Sequence, residues 1–141
     1  MTTEPKHTKA TLQVIFDSNA FFVPLQFKID VFEELRTRLN MKFEAVLLSP
    51  IRRELEKLAN DSAPKHRKEA AYALRLAKKC KLIDVDKQFS GPPDDVIAKA
   101  AEEWKSVVFT NDGQLRKRLR NINVPVIYVR QKSRLEIDGR L

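Results

Sequence analysis

Five short apolar runs, each set off from the next by a stretch of helical periodicity, constrain this chain more than any other feature. Leu12 to Phe16, Ala45 to Leu48, Leu82 to Val85, Val107 to Phe109 and Val126 to Val129 are too short for helices and read as buried strands. Between them, Ile29, Phe32, Leu35 and Leu39 recur at helical spacing, and Ile51, Leu55 and Leu58 share one helical face. Ala70, Ala73, Leu74 and Ala77 define another inner face, and Val96, Ile97, Ala100, Ala101 and Trp104 a further one. Ser49-Pro50 has the form of an N-cap followed by proline at the first helical position. Ser90-Gly91-Pro92-Pro93 is the clearest break, after which Asp94-Asp95 opens a helix, and residues 113–121 form a basic one. Strand and helix alternate throughout. That predicts an α/β fold, a three-layer α/β/α sandwich around a mostly parallel central sheet, with the strand at Val126 to Val129 as the last.

The length, 141 residues, suits one domain with a real core. Residues 1–10 are polar and are expected to form a flexible tail, leaving 11–141 as a single domain with a basic C-terminal segment. No stretch near the start reads as a signal peptide, and the longest apolar run, Ala20 to Leu25, is too short to span a bilayer. A cytoplasmic protein without a membrane role is expected. Cys80 is the only cysteine, which excludes an internal disulfide and a zinc ribbon; it reads as a small residue near a helix end. The alanine-rich helix and an exposed-looking Phe21-Phe22 suggest a homodimer.

Four blocks each deliver acids where such a sheet brings them together: Asp17 after the first strand, Glu54 one helical turn past the second, Asp94/Asp95 at a helix start, and Asp112 after Val107 to Phe109. Ligands of open α/β sheets sit beyond the carboxyl ends of the strands, and all four blocks reach that edge. Each acid also has a structural role open to it. Asp17 and Asp112 can cap helices, Asp94 and Asp95 can answer a helix dipole, and Glu54 can pair with Lys57. All four roles would have to coincide at one edge, which favours a shared site.

The formal net charge is +8, so gathered carboxylates need a positive group among them, and a divalent metal is the economical one. Residues 105–141 hold nine Lys/Arg against three Asp/Glu, and Lys65, Arg67, Lys68, Arg75, Lys78, Lys79 and Lys81 form a second basic concentration. Basic stripes beside carboxylates suit a polyanion held by its backbone, although each cation taken alone is more often a solvated helix face. Asn19, Thr110 and Asn111 stand ready to orient ligating groups, with turn and capping roles equally open to Ser18, Asn19 and Thr110. His7 and His66 lie far from the acid blocks, which disfavours histidine-driven or zinc chemistry. Only three glycines occur, with no phosphate-cradling loop among them.

The strand ending in Asp17-Ser18-Asn19, the later Glu54, Asp94-Asp95-Val96-Ile97 and Val108-Phe109-Thr110-Asn111-Asp112 resemble the successive acidic motifs of PIN-domain nucleases. The resemblance runs over roughly residues 12 to 130 and implies an Mg²⁺- or Mn²⁺-dependent nuclease that cuts single-stranded or structured RNA. It implies Asp17, Glu54, Asp94 and Asp112 as core acids and metal ligands, with Asp95 beside them; the family's Asp-x-x-Ile spacing selects Asp94. Serine stands at position 18 where the family often has threonine. Val23-Pro24, the Ile29 to Leu35 segment, the Leu-Arg-Lys-Arg-Leu-Arg run and Val124 to Tyr128 look like the archaeal and eukaryotic ribosomal-RNA-processing branch more than a compact VapC-type toxin.

The expected activity is therefore metal-dependent endoribonucleolytic hydrolysis of structured RNA such as ribosomal precursor. Arg116, Lys117, Arg118 and Arg120 would hold flanking phosphates, and ribosome assembly factors would be partners. One alternative is a VapC-type toxin ribonuclease neutralised by an antitoxin. Another is an RNA-binding ribosome assembly factor with little catalysis.

Overall fold

A computed structural model describes residues 11–61 and 63–141 of the chain. The predicted tail, residues 1–10, and His7 with it lie outside the described residues. The strands are β1 Leu12–Phe16, β2 Phe43–Leu48, β3 Lys81–Ile83, β4 Val107–Phe109, β5 Val126–Arg130 and β6 Arg134–Asp138. They form one sheet in the order β3-β2-β1-β4-β5-β6, parallel throughout except for the antiparallel β5–β6 pair. The helices are α1 Val23–Phe27, α2 Val31–Leu39, α3 Ser49–Ala59, α4 Pro64–Ala77, α5 Pro93–Trp104 and α6 Gly113–Asn121, and a 3₁₀ turn covers Ser18–Phe22.

From β1 the chain winds outward through β2 to β3, then returns to the other side of β1 for β4 and β5. Right-handed crossovers in opposite directions put their helices on opposite faces, which gives the expected α/β/α layering. It also makes the gap between β1 and β4 the switch point of the sheet, where neighbouring crossovers diverge and leave a crevice.

The core explains why these runs became strands. Val14, Ile15, Phe16, Val46, Leu48, Val108, Phe109, Val126 and Ile127 are buried, as continuous apolar runs covered on both faces should be. Phe16 anchors the centre, with ring centroids 5.1 Å from Phe21, 5.7 Å from Phe32 and 5.1 Å from Phe109. Truncating such a ring to alanine costs about 3–5 kcal/mol.

Several expectations need correction. Phe21 is buried against Phe16, so it is not an exposed dimer surface. Ser49 does not cap α3; its hydroxyl bonds Asp86 at 2.9 Å and accepts from the Val85 amide at 3.1 Å. Leu58 is exposed, so Ile51 and Leu55 alone of the predicted face of α3 are buried. Val126 to Val129 is not the final strand, because the chain turns back into β6. That turn uses Gln131 and Lys132 at φ 53° and 59°, the paired left-handed residues of a tight hairpin, without the glycine or asparagine that usually announces one.

Candidate active site

β1 and β4 pair with Phe16 opposite Phe109, so the next residues, Asp17 and Thr110, emerge side by side at the crevice. The Thr110 hydroxyl donates to Asp17 Oδ2 at 2.7 Å, and the Asn19 amide donates to the same oxygen at 3.0 Å. Asp17 Oδ1 accepts from the Ser18 backbone at 2.8 Å. Asp17 and Thr110 are both buried, so the bond between them is made out of water, where an ionised acceptor gains most from it. Asn111, named with Asn19 from sequence, joins the same frame: its amide donates to Asn19 Oδ1 at 2.8 Å, and its own Oδ1 accepts from Val129 at 3.3 Å. β1, β4 and β5 are thereby laced together at one end.

The other acids converge on this point from the helices. Asp112 caps α6, Oδ1 accepting from Gln114 at 2.9 Å and Leu115 at 3.4 Å, while its own amide donates to Thr110 Oγ1 at 3.1 Å. The capping role foreseen for it is real and uses one oxygen; Oδ2 has no hydrogen bond among the described residues. Glu54, half-buried on α3, has the Ser18 side chain beside it and forms no salt bridge with Lys57. Asp94 opens α5 on the same side.

Electrostatics show that the four share one field. Burial raises the Asp17 carboxyl, against the pull of the Thr110 and Ser18 hydrogen bonds, and the charges of Asp94 and Asp112 raise it further. Burial likewise raises Glu54, helped by Asp17 and Asp94 and opposed by Ser18. Asp94 is raised by desolvation first and then by Asp112 and Asp95, with Arg118 opposing. Asp95 is placed differently: its Oδ1 lies 2.7 Å from Arg118 on α6, and it does not figure among the charges acting on Asp17 or Glu54. Of the adjacent pair, the structure turns Asp94 toward the other acids and Asp95 toward Arg118.

The donor set consists of hard carboxylate oxygens crowded in repulsion, and it fits Mg²⁺ or Mn²⁺ by chemistry. Among the described residues no three of these side chains stand within ligating distance of one point.

The basic helix departs from the expectation of free phosphate-holding cations. Arg116 and Arg120 reach Asp138 on β6 at 3.0 and 3.3 Å, and Arg118 is held by Asp95. Lys117 alone is exposed with no ion pair among the described residues. Sequence reasoning missed Asp138 and Tyr128, which organise this flank, because the strand that carries Asp138 was not foreseen. It also missed the network of Arg53, Asp86 and Ser49, with Arg53 2.8 Å from Asp86. Cys80 is half-buried, and burial pushes its thiol up to about 12, which suits a structural rather than a nucleophilic residue.

With this geometry in place, the chain can be compared with known proteins. The family described as PIN like domain matches residues 14–132. The chain is 37% identical over 130 residues to ribonuclease VapC4 of Methanocaldococcus jannaschii, covering 90% of this chain and 97% of that protein. It is 26% identical over 124 residues to ribonuclease VapC9 of Archaeoglobus fulgidus, covering 88% and 87%. Among solved structures, the PIN domain endonuclease Utp24 superposes with a TM-score of 0.76 at 29% identity, covering 92% of each chain.

Proposed function

The chain belongs to the PIN-like domain family, and on that premise we propose that it is a divalent-metal-dependent endoribonuclease hydrolysing phosphodiester bonds of structured RNA. The observation that carries this reading is the convergence of Asp17, Glu54, Asp94 and Asp112 at the β1/β4 crevice, where burial first and acidic neighbours second raise Asp17, Glu54 and Asp94. Carboxylates that disfavour their own ionisation in a chain of net charge +8 leave a local deficit of positive charge that a divalent cation would fill, and such a cation would in turn attract an anionic phosphate ester.

Asp17, Glu54, Asp94 and Asp112 would hold the ion; Mg²⁺ or Mn²⁺ there supplies charge neutralisation and polarises the phosphoryl group and a water. The remaining work belongs to the chain. Thr110, Asn19 and Ser18 occupy both oxygens of Asp17 and fix its orientation before substrate arrives, which removes a reorganisation cost from the reaction.

The substrate we propose is ribosomal precursor RNA, cut in the cytoplasm in company with assembly factors. A second reading, a toxin ribonuclease held in check by an antitoxin, draws support from the two VapC ribonucleases among the relatives. Labelled RNA incubated with Mn²⁺ and the wild type should be cut, while Asp17→Asn and Asp94→Asn should lose at least a hundredfold in rate. Cleavage that persists in chelator, or in both variants, refutes the mechanism; RNA binding without any cleavage leaves an assembly factor. Growth arrest on expression, relieved by a neighbouring reading frame, selects the toxin over the processing enzyme.

A further inference from the structure

Beside the carboxylates, the ends of β4 and β5 and the first turn of α6 frame a separate cavity of about 400 Å³, lined by Asn111, Asp112, Arg116, Tyr128 and Arg130. That is within the range of small-ligand pockets, roughly 300–1,000 Å³. Two arginines face it, and both are anchored rather than loose. The Arg116 guanidinium carbon sits 3.6 Å from the centre of the Tyr128 ring, and Nε donates to Asp138 Oδ2 at 3.0 Å. Arg130 donates through Nη1 to Glu136 at 2.9 Å and to the Tyr128 hydroxyl at 3.4 Å.

Each arginine spends part of its donor fork on a β6 acid and keeps donors with no partner among the described residues: both Nη groups of Arg116, and Nε and Nη2 of Arg130. A guanidinium stacked on a ring and pinned at one nitrogen has lost its side-chain freedom already, so binding an anion with the rest costs little entropy. Arg116 also lies one helical turn from Asp112, its amide donating to the Asp112 carbonyl at 2.9 Å. The clamp therefore adjoins the acid that borders both the crevice and the cavity.

We propose that this cavity is a nucleotide subsite, in which Arg116 and Arg130 grip the phosphate next to the scissile one and Tyr128 sets the plane of Arg116. The assignment rests on the ribonuclease reading for its ligand, the RNA strand that enters the site, for which a single-stranded oligoribonucleotide is the probe. It gives the antiparallel strand β6 a function: Glu136 and Asp138 hold the clamp in place.

The test is fluorescence anisotropy of a labelled single-stranded oligoribonucleotide in EDTA, with affinity followed against salt. One phosphate contact contributes about 0.7 to the slope of log affinity against log salt for single strands. Arg116→Met and Arg130→Met should each lower the slope by about that amount and weaken binding about tenfold. Arg116→Lys should restore the slope but only part of the affinity, because a point charge replaces the fork. Tyr128→Leu should weaken binding without changing the slope, which a purely structural arginine would not produce. Lys42→Met, at the opposite end of the sheet, serves as the control for net charge. Unchanged slopes in the folded Arg116 and Arg130 variants, an equal drop in Lys42→Met, or no RNA binding by the wild type each overturn the subsite. Because the readout needs neither metal nor cleavage, failure of the nuclease reading is seen separately, as absence of Mn²⁺-dependent products.

Discussion

Replacing Thr110 by valine removes one hydroxyl from the centre of the site and tests how Asp17 is held. Thr110 is fully buried, and its hydroxyl gives a 2.7 Å bond to Asp17 and accepts one of 3.1 Å from the Asp112 amide. A bond to a charged partner contributes about 1.5–3 kcal/mol, and an orphaned amide adds about 1 kcal/mol, so the variant should lose about 2–4 kcal/mol at neutral pH. With about 2.1 cal/mol/K of unfolding entropy per residue, a chain of 141 residues should lose about 7–13 °C in Tm. The loss should depend on pH in a definite sense. Asp17 has a folded-state pKa raised by burial, so the folded form binds the proton more tightly than the unfolded chain. Its contribution is therefore fully present below the unfolded value and is lost as pH rises through the folded value. The Thr110 bond opposes that rise; without it the penalty for ionising Asp17 grows. The gap between wild type and variant should lie at the low end of that range, about 2 kcal/mol from a neutral bond plus the orphaned amide, where Asp17 is protonated, and widen toward about 4 kcal/mol once it ionises. Urea unfolding from pH 4 to 8 measures it. An equal gap at both ends, or a variant as stable as wild type at pH 8, would show that Thr110 does not stabilise an ionised Asp17.

Three further outcomes follow from the same electrostatics. Glu54→Gln, which removes a buried charge raised also by Asp17 and Asp94, should increase Tm at pH 8 in chelator and leave it little changed at pH 4; a decrease at pH 8 contradicts the shared field. Mn²⁺ at a hundred times its dissociation constant should stabilise the wild type by about 2.7 kcal/mol, and this gain should shrink in Asp94→Asn as measured by thermal unfolding. Cys80, with its thiol pushed up to about 12 by burial, should react with a thiol reagent at pH 8 only after unfolding; rapid labelling of the native protein would show it to be open.

Periodicity alone reveals most of the frame. β1 coincides with the predicted strand, and α6 with the predicted helix, because a continuous apolar run and a basic amphipathic stretch leave few alternatives. The convergence of the four acids was legible because Asp17 and Asp112 sit just past strands, Asp94 at a helix start and Glu54 one turn into α3, where sheet topology fixes the direction of each. Ligand geometry was not legible. Asp94 and Asp95 differ only in which way one helical turn points them, and the Arg118 contact that separates them joins α5 to α6. β6 escaped notice because its turn rests on Gln131 and Lys132 at positive φ, and with it went Asp138. The arginines of α6 therefore read as free cations, although three of the four basic residues named there are held by acids distant in sequence. Phe21 read as exposed because a 3₁₀ turn of 5 residues is too short for a sequence period to tell inside from outside.

The central claim is that Asp17, Glu54, Asp94 and Asp112 form one cation site and that this site cuts RNA. A paired titration tests it most directly: Mn²⁺ binding by calorimetry and single-turnover cleavage of labelled RNA over the same metal range. Coincident midpoints in the wild type, with both signals lost together in Asp17→Asn and Asp94→Asn, are the predicted result. Cleavage that saturates where no metal binds, or metal binding that survives both substitutions, contradicts it.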